Sequence, residues 1–316
     1  IYAVKIMSNI LIIKHGSLGD LIQANGAIKD IKEFYKDSRV ILLTSNAYSL
    51  FMSECPYIDG VITDKRLPRW NLIYLHHLKK LLSRYNFTKV FDLQNSSRTK
   101  FYQKYILSKP IWSSSETTLQ PGQKKSNFDK DPVLVRMEAQ LTKENVPIKF
   151  LKSIDLNWAL VDLSRLIKQY CNHDYILIFP FCSKKHKNKK WPFYKELVLK
   201  LKNDFNNKFS ILVAPGPDEI QESYIFNAKV VLDNDVSLDI KKLITLINNA
   251  KFIISNDTGP AHIASHLNKK GLVLFGSHTS ADKVSIENSN FKAISVSSLK
   301  DLKVETVTNE VKKILN

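Results

Sequence analysis

The chain has 316 residues, 44% hydrophobic and 24% charged, enough for two α/β domains with a core each and unlike a disordered or fibrous sequence. No apolar run approaches the ~20 residues of a bilayer-spanning helix. Cysteines at 55, 171 and 182, with no C-x-x-C and no His/Cys ligand spacing, exclude a disulfide framework and a structural zinc and fit a reducing cytosol, while the net charge of +17 calls for an acidic partner.

Asn9–Lys14 (NILIIK) reads as a buried strand; its apolar part, Ile10–Ile13, is too short for a signal sequence. The chain opens on Ile1, so Met7 is a candidate start, with residues 1–6 an upstream remnant. Asp20–Tyr35 places Leu21, Ala24, Ala27, Ile28, Ile31 and Phe34 at helical spacing. Arg39–Leu43 is the next strand, Ala47–Glu54 a short helix, Val61–Thr63 a strand and Leu72–Tyr85 a helix. Lys89–Leu93 is a further strand, ending in the polar segment Gln94–Thr99. Ser113–Asp131 breaks the pattern: it is polar, with Pro, Gly and several lysines, and a loop of that length is either a functional lid or disordered. Val133–Asn145 resumes as a helix.

From Tyr175 the alternation restarts. Strands are expected at Tyr175–Phe179, Phe209–Val213, Val230–Leu232, Phe252–Ile254, Gly271–Phe275 and Ala293–Val296, with helices from Pro192, over Ser237–Asn249 and over Val304–Leu315. Strands alternating with helices predict parallel sheets whose carboxyl ends carry the ligand sites. The expected organisation is two such domains, 1–165 and 166–316, facing each other across a cleft, with the boundary between 150 and 172. The terminal helix is a candidate to pack back on the first domain.

Chemistry concentrates in the turns. Lys251–Leu267 (KFIISNDTGPAHIASHL) reads as strand, polar turn and helix. Pro260 suits the first helical turn, Asp257 or Thr258 can cap it, and Gly259 lets the backbone approach a ligand. Helix starts bind anions, and His262 falls on the first turn. A plain cap and turn explains the local pattern equally well. Lys14-His15-Gly16-Ser17-Leu18-Gly19-Asp20 resembles a dinucleotide fingerprint only loosely; Asp20 is either a first-turn cap or a general base at the cleft edge. Cys182–Pro192 (CSKKHKNKKWP) joins a strand end to a helix start, so its lysines are either a solvated face or point charges for a diphosphate. Asp218 and Glu219 follow a strand and can accept from ribose hydroxyls or simply cap a turn. Asp233-Asn234-Asp235 has the D-x-D form of a metal-diphosphate site, but Asp235 is better placed as the cap of the Ser237 helix, and no metal is expected.

With these segments placed, the chain resembles glycosyltransferase family 9, the ADP-heptose:lipopolysaccharide heptosyltransferases. Lys14–Asp20 resembles the family's strand–GD–helix element, and Asp92-Leu93-Gln94 with Arg98-Thr99 its D-x-Q-x-x-x-R/K-S/T segment. Lys189-Lys190-Trp191-Pro192 resembles K-x-W-P, and Asp257-Thr258-Gly259-Pro260-Ala261-His262 the D-T/S-G-x-x-H signature. The family's usual proline six residues after the GD aspartate is Gly26 here, which only softens a helix, and its frequent glycine after D-x-Q is Asn95, which leaves the acceptor open.

The resemblance implies a GT-B fold of two Rossmann-like domains and an inverting, metal-independent transferase with no cofactor beyond its nucleotide-sugar donor. It implies Asp20 as catalytic base and Lys189 on the donor phosphates. Ser183, Asp257, Thr258, Gly259 and His262 then belong to the donor site, Asp218 or Glu219 to the ribose, and Lys14, Gln94 and Arg98 to the acceptor side. The expected acceptor is an anionic lipid-linked saccharide at the cytoplasmic face of the inner membrane, met peripherally, with the positive charge and the lysines of Ser113–Asp131 attracting it. Three alternatives stay open: a family 9 transferase with another donor sugar, a GT-B sugar-nucleotide epimerase, and a non-enzymatic polyanion binder. No specific nucleic acid is expected, since no helix-turn-helix, RNP-type motif or zinc finger is present, and a lysine-rich proteome alone produces such a charge.

Overall fold

The computed structural model describes residues 8–183 and 186–315; the candidate start at Met7, and Lys184 and Lys185 of the lysine loop, lie outside them. The chain divides into two compact units, 1–158 and 159–316. In the first, Asn9–Ile13 (β1), Arg39–Ser45 (β2), Gly60–Asp64 (β3), Phe87–Asp92 (β4) and Ile111–Ser113 (β5) form one sheet, ordered β3-β2-β1-β4-β5, with every pair parallel. The second contains Tyr175–Phe179 (β6), Ser210–Val213 (β7), Lys229–Val230 (β8), Phe252–Asn256 (β9), Gly271–Phe275 (β10) and Phe291–Ser295 (β11). Its order is β11-β10-β9-β6-β7-β8, again all parallel.

The apolar runs explain the layering. Strands β6, β9 and β10 are buried along their whole length, as expected of parallel strands covered on both faces. In each sheet the first strand lies beside the fourth, so the winding reverses between β1 and β4 and between β6 and β9. This is the Rossmann-like order, and it opens a crevice at the carboxyl ends of those strands.

Three expectations need correcting. Ser113–Asp131 is not a structureless loop: it carries the one-turn helices Ser115–Thr118 and Lys125–Phe128, with Phe128 and Thr118 buried. The polar segment after β4 starts the helix Ser97–Tyr105, closed by a capping box between Ser96 and Thr99. The helix expected from Ser237 starts at Ile240 and is capped by Asp239, whose side chain accepts from Lys242 N (2.8 Å). Asp235 instead sits with Asn234 in a turn at positive φ, conformations that Asn and Asp tolerate. In the second unit the terminal helix Val304–Leu315 sends Val307 and Val311 into the core, and Lys312 meets Asp204 at 2.9 Å.

Gly26 does more than soften its helix. A Cβ there would lie 2.3 Å from the Phe150 carbonyl oxygen and 2.8 Å from Leu151 Cα. One helical turn on, buried Asp30 accepts from the backbone N–H groups of Lys149, Phe150 and Leu151 at 2.9–3.0 Å. Glycine and carboxylate together seat the end of the first unit on the helix Leu18–Phe34.

Candidate functional site

Each unit places its motif at its own reversal point. In the first, β1 runs into Lys14, whose buried ammonium donates to Leu93 O (3.0 Å) just beyond β4. Burial pushes its pKa down, with Asp20 and Asp92 pulling the other way. The next residue, His15, donates its backbone N–H to Gln94 Oε1 (2.8 Å). Gly16 adopts φ +120°, and a Cβ there would strike the Tyr48 ring at 2.3 Å, so glycine is required. Ser17 then caps the helix Leu18–Phe34, and Asp20 closes the box: Oδ2 accepts from Ser17 N (2.9 Å) and Ser17 Oγ (3.0 Å). The cap role of Asp20 is therefore realised, and the carboxylate is held at the mouth of the crevice.

Beneath this turn lies a network that motif reading misses. His15 Nε2 is 2.7 Å from Oδ2 of Asp64, the last residue of β3. Asp64 also accepts from Tyr102 Oη (2.8 Å), from Arg66 N (2.8 Å) and from Tyr74 Oη, and the two phenols are 3.0 Å apart. Arg98 reaches the same cluster, donating to Tyr102 Oη and to Leu67 O, both at 3.0 Å. Burial alone would raise the Asp64 pKa, but the hydrogen bonds from His15, Tyr74 and Arg66 N more than reverse that and hold it at about 2.

On the β4 side, buried Asp92 folds the following turn by accepting from Gln94 N (3.1 Å) and Asn95 N (2.9 Å). Asn95 has φ +49°, the left-handed region glycine favours and Asn tolerates. Its side chain accepts from Ser115 N (2.6 Å) and donates to Gln140 Oε1 (3.2 Å). A polar groove of about 320 Å³ opens here, lined by Asp92, Asn95, Ser96, Lys100, Ser115 and Lys125 among others. Lys14, Gln94 and Arg98 are thus gathered around the first turn.

In the second unit, β9 ends at Asn256, Thr258 stands at the N-cap position of the helix Gly259–His266 without a side-chain capping bond, and Pro260 sits in its first turn. Asp257, buried at this junction, gathers three basic groups. Lys189 Nζ lies 2.6 Å from Oδ2, His278 Nε2 3.1 Å from the same oxygen, and His262 Nε2 3.9 Å from Oδ1. Burial would raise the Asp257 pKa; Lys189 and the two imidazoles overcome that and lower it. Burial lowers the His278 pKa, outweighing the hydrogen bond to Asp257 that pulls the other way. Among the described residues Asp257 is the partner recorded for Lys189 Nζ, which carries three N–H donors.

Asn256 latches the lysine loop to this strand end. Its Nδ2 donates to Phe181 O (3.3 Å), and its Oδ1 accepts from Trp191 N (3.3 Å) and Tyr194 Oη (3.4 Å). Trp191 anchors the loop's far end by burying its indole and donating Nε1–H to Leu302 O (2.9 Å). Ser183 is exposed, its carbonyl accepting from His186 N (2.8 Å). Glu219 closes the 3-10 turn after β7 by accepting from Gly216 N (2.8 Å), while Asp218 is exposed. Asp233 of the D-x-D meets Lys242 at 2.5 Å. Among the described residues no group of three or more His, Cys, Asp and Glu could hold a metal ion.

Two Rossmann-like domains, each with a motif-bearing crevice, define the GT-B class of nucleotide-sugar enzymes. The chain belongs to glycosyltransferase family 9 (heptosyltransferase), whose sequence pattern matches residues 75–313. It is 26% identical over 295 residues to lipopolysaccharide heptosyltransferase 1 of Campylobacter coli, a match covering 84% of this chain and 83% of that protein. Among solved structures, E. coli heptosyltransferase WaaC with ADP superposes with a TM-score of 0.71 at 16% identity, covering 97% of this chain and 99% of the other. The glycosyltransferase family 9 protein of Veillonella parvula DSM 2008 superposes with a TM-score of 0.75 at 13% identity, covering 98% and 97%.

Proposed function

We propose that this glycosyltransferase moves a heptose from ADP-heptose to a lipid-linked acceptor of the lipopolysaccharide-core type, with inversion and without a metal, at the cytoplasmic face of the inner membrane. The observation that carries the reading is the Lys189–Asp257 pair at the reversal point of the second sheet, 2.6 Å apart. It holds an ammonium beside the start of the helix Gly259–His266, where backbone N–H groups and the helix dipole favour an anion. Fixed positive charge of this kind can take up the charge of a departing diphosphate. Asp20 is the proposed base: it takes the acceptor hydroxyl proton as that oxygen bonds the anomeric carbon and the bond from that carbon to the diphosphate oxygen breaks. Its bonds to Ser17 orient it.

Calorimetric titration with ADP, UDP and ADP-heptose, metal-free, tests the donor half. Selective ADP binding that weakens ~10-fold or more in Lys189→Ala is expected, since a charge-assisted contact is worth about 1.5–3 kcal/mol. Preference for UDP would move the donor; no nucleotide binding at all would sink the transferase mechanism. Asp20→Asn, which can still cap the helix, should keep ADP affinity and lose about 10²–10⁴ in transfer rate.

A further inference from the structure

The carboxyl end of β3 leads directly into an unusual surface. Directly after Asp64, the segment Lys65-Arg66-Leu67-Pro68-Arg69-Trp70 runs exposed to the half-buried Asn71 and the helix Leu72–Ser83. Trp70, Leu72 and Ile73 are 79%, 74% and 73% exposed. They are not loose. Asn71 Oδ1 caps the helix by accepting from Tyr74 N (3.0 Å), and Tyr74, Leu75, Leu78 and Leu82 bury its other face. Adjacent large apolar side chains held outward on a rigid frame mark an interaction surface.

Along this stretch of chain the charge is of one sign. From Lys65 to Phe91 there is no Asp or Glu, against Lys65, Arg66, Arg69, Lys79, Lys80, Arg84 and Lys89. The first five of these are exposed, as are His76 and His77. An apolar groove of about 260 Å³, lined by Leu67, Ile73, Leu78 and Leu81 with Lys65 and His77, adjoins the patch. A tryptophan and two aliphatic side chains ringed by cations match the headgroup zone of an anionic bilayer, where the indole straddles polar and apolar layers and each cation near the surface adds about 1 kcal/mol.

The lysines of Ser113–Asp131 fit that role less well. Lys125 pairs with Asp129 (2.8 Å), neighbouring Lys100 pairs with Glu116 (2.9 Å), and no large hydrophobic residue of that segment is exposed.

We propose that residues 65–80 are the membrane-docking face of this enzyme, seating Trp70, Leu72 and Ile73 among the headgroups of an anionic bilayer while Lys65, Arg66, Arg69, Lys79 and Lys80 meet its phosphates. The proposal deepens the lipid-linked acceptor reading and rests on it for the presence of a membrane. Asp64, which leads into this face, is bound to His15 of the turn bearing Asp20, so the face belongs to the unit that carries the proposed base.

The test is co-sedimentation with vesicles of phosphatidylethanolamine and phosphatidylglycerol, phosphatidylcholine vesicles being the neutral control. The wild type should bind the anionic vesicles and release them at high salt. Trp70→Ser/Leu72→Ser/Ile73→Ser and Lys79→Glu/Lys80→Glu should each weaken binding about tenfold or more. Tryptophan emission should shift to the blue on anionic vesicles and stay unshifted in Trp70→Phe, the other three tryptophans (112, 158 and 191) being less exposed. Wild-type sedimentation of the triple variant, or no binding of the wild type to either vesicle, overturns the proposal. So does a wild-type dimer that the triple variant abolishes with vesicle binding unchanged, which makes the face a contact between copies. ADP titration on the same samples separates the two readings. ADP binding without vesicle binding removes docking alone, and vesicle binding without any nucleotide binding removes the transferase mechanism alone.

Discussion

Replacing Asp64 by Asn tests whether the buried network under the first turn is a structural charge site. The carboxyl is held at about 2 from a reference of 3.8; at about 1.4 kcal/mol per pH unit, that depression is worth ~2–3 kcal/mol of stability. Because the folded-state pKa is the lower one, the contribution is present above pH ~4 and is lost as pH falls through ~2. Asp64→Asn removes it and also aims an amide N–H₂ toward a donor among His15 Nε2, Tyr102 Oη and Arg66 N, so a total loss of ~2–4 kcal/mol is expected. Urea unfolding followed by circular dichroism at pH 7 and at successively lower pH reads both effects. The variant should lie well below the wild type at pH 7 and converge on it near pH 2–3. A parallel pair of curves, or a variant as stable as the wild type at neutral pH, would refute the assignment. Since His15 begins the turn that carries Asp20, the variant should also lose transfer rate while keeping ADP affinity.

Gly26→Ala should cost ~1–3 kcal/mol in the first unit's unfolding transition, because its methyl group meets the Phe150 carbonyl; an unchanged Tm would disprove the close approach. Asp30→Ala should leave three backbone N–H groups without their acceptor and raise hydrogen exchange at Lys149, Phe150 and Leu151 by at least ~10-fold, each such loss costing about 1–3 kcal/mol. His278→Ala should lower ADP affinity ~5–30-fold by loosening Asp257, and His278→Gln, which can still donate to it, should restore most of the loss; equal losses in both variants would place His278 elsewhere in binding.

Both sheets are legible from their apolar runs, because strands buried on both faces, such as NILII and YILIF, leave a signal free of alternation. Strand β5 is not, being three residues long, and the helix Ser97–Tyr105 is masked by its polar composition. Within the site, residues adjacent in sequence were within reach of motif reading: Asp20 with its turn, and Asp257 through His262. The partners that arrive from distant strand ends were not. His278 reaches Asp257 from beyond β10, Asp64 reaches His15 from β3, and Asn256 binds both flanks of the lysine loop. Their one available signal is position, since each stands at or just past the carboxyl end of a parallel strand. The choice between Asp235 and Asp239 as cap rests on where the helix begins, the least legible feature of such a segment.

No strand of either sheet is borrowed from the other. Selection can therefore act on the two crevices separately. Substitutions around Asn256 and His278 alter the turn at the β9 end without altering the pairing of β1 with β4. Those around Asn95 and the Ser96–Lys100 groove do the reverse. Each crevice can thus be altered turn by turn while the strand pairing beneath the other is kept.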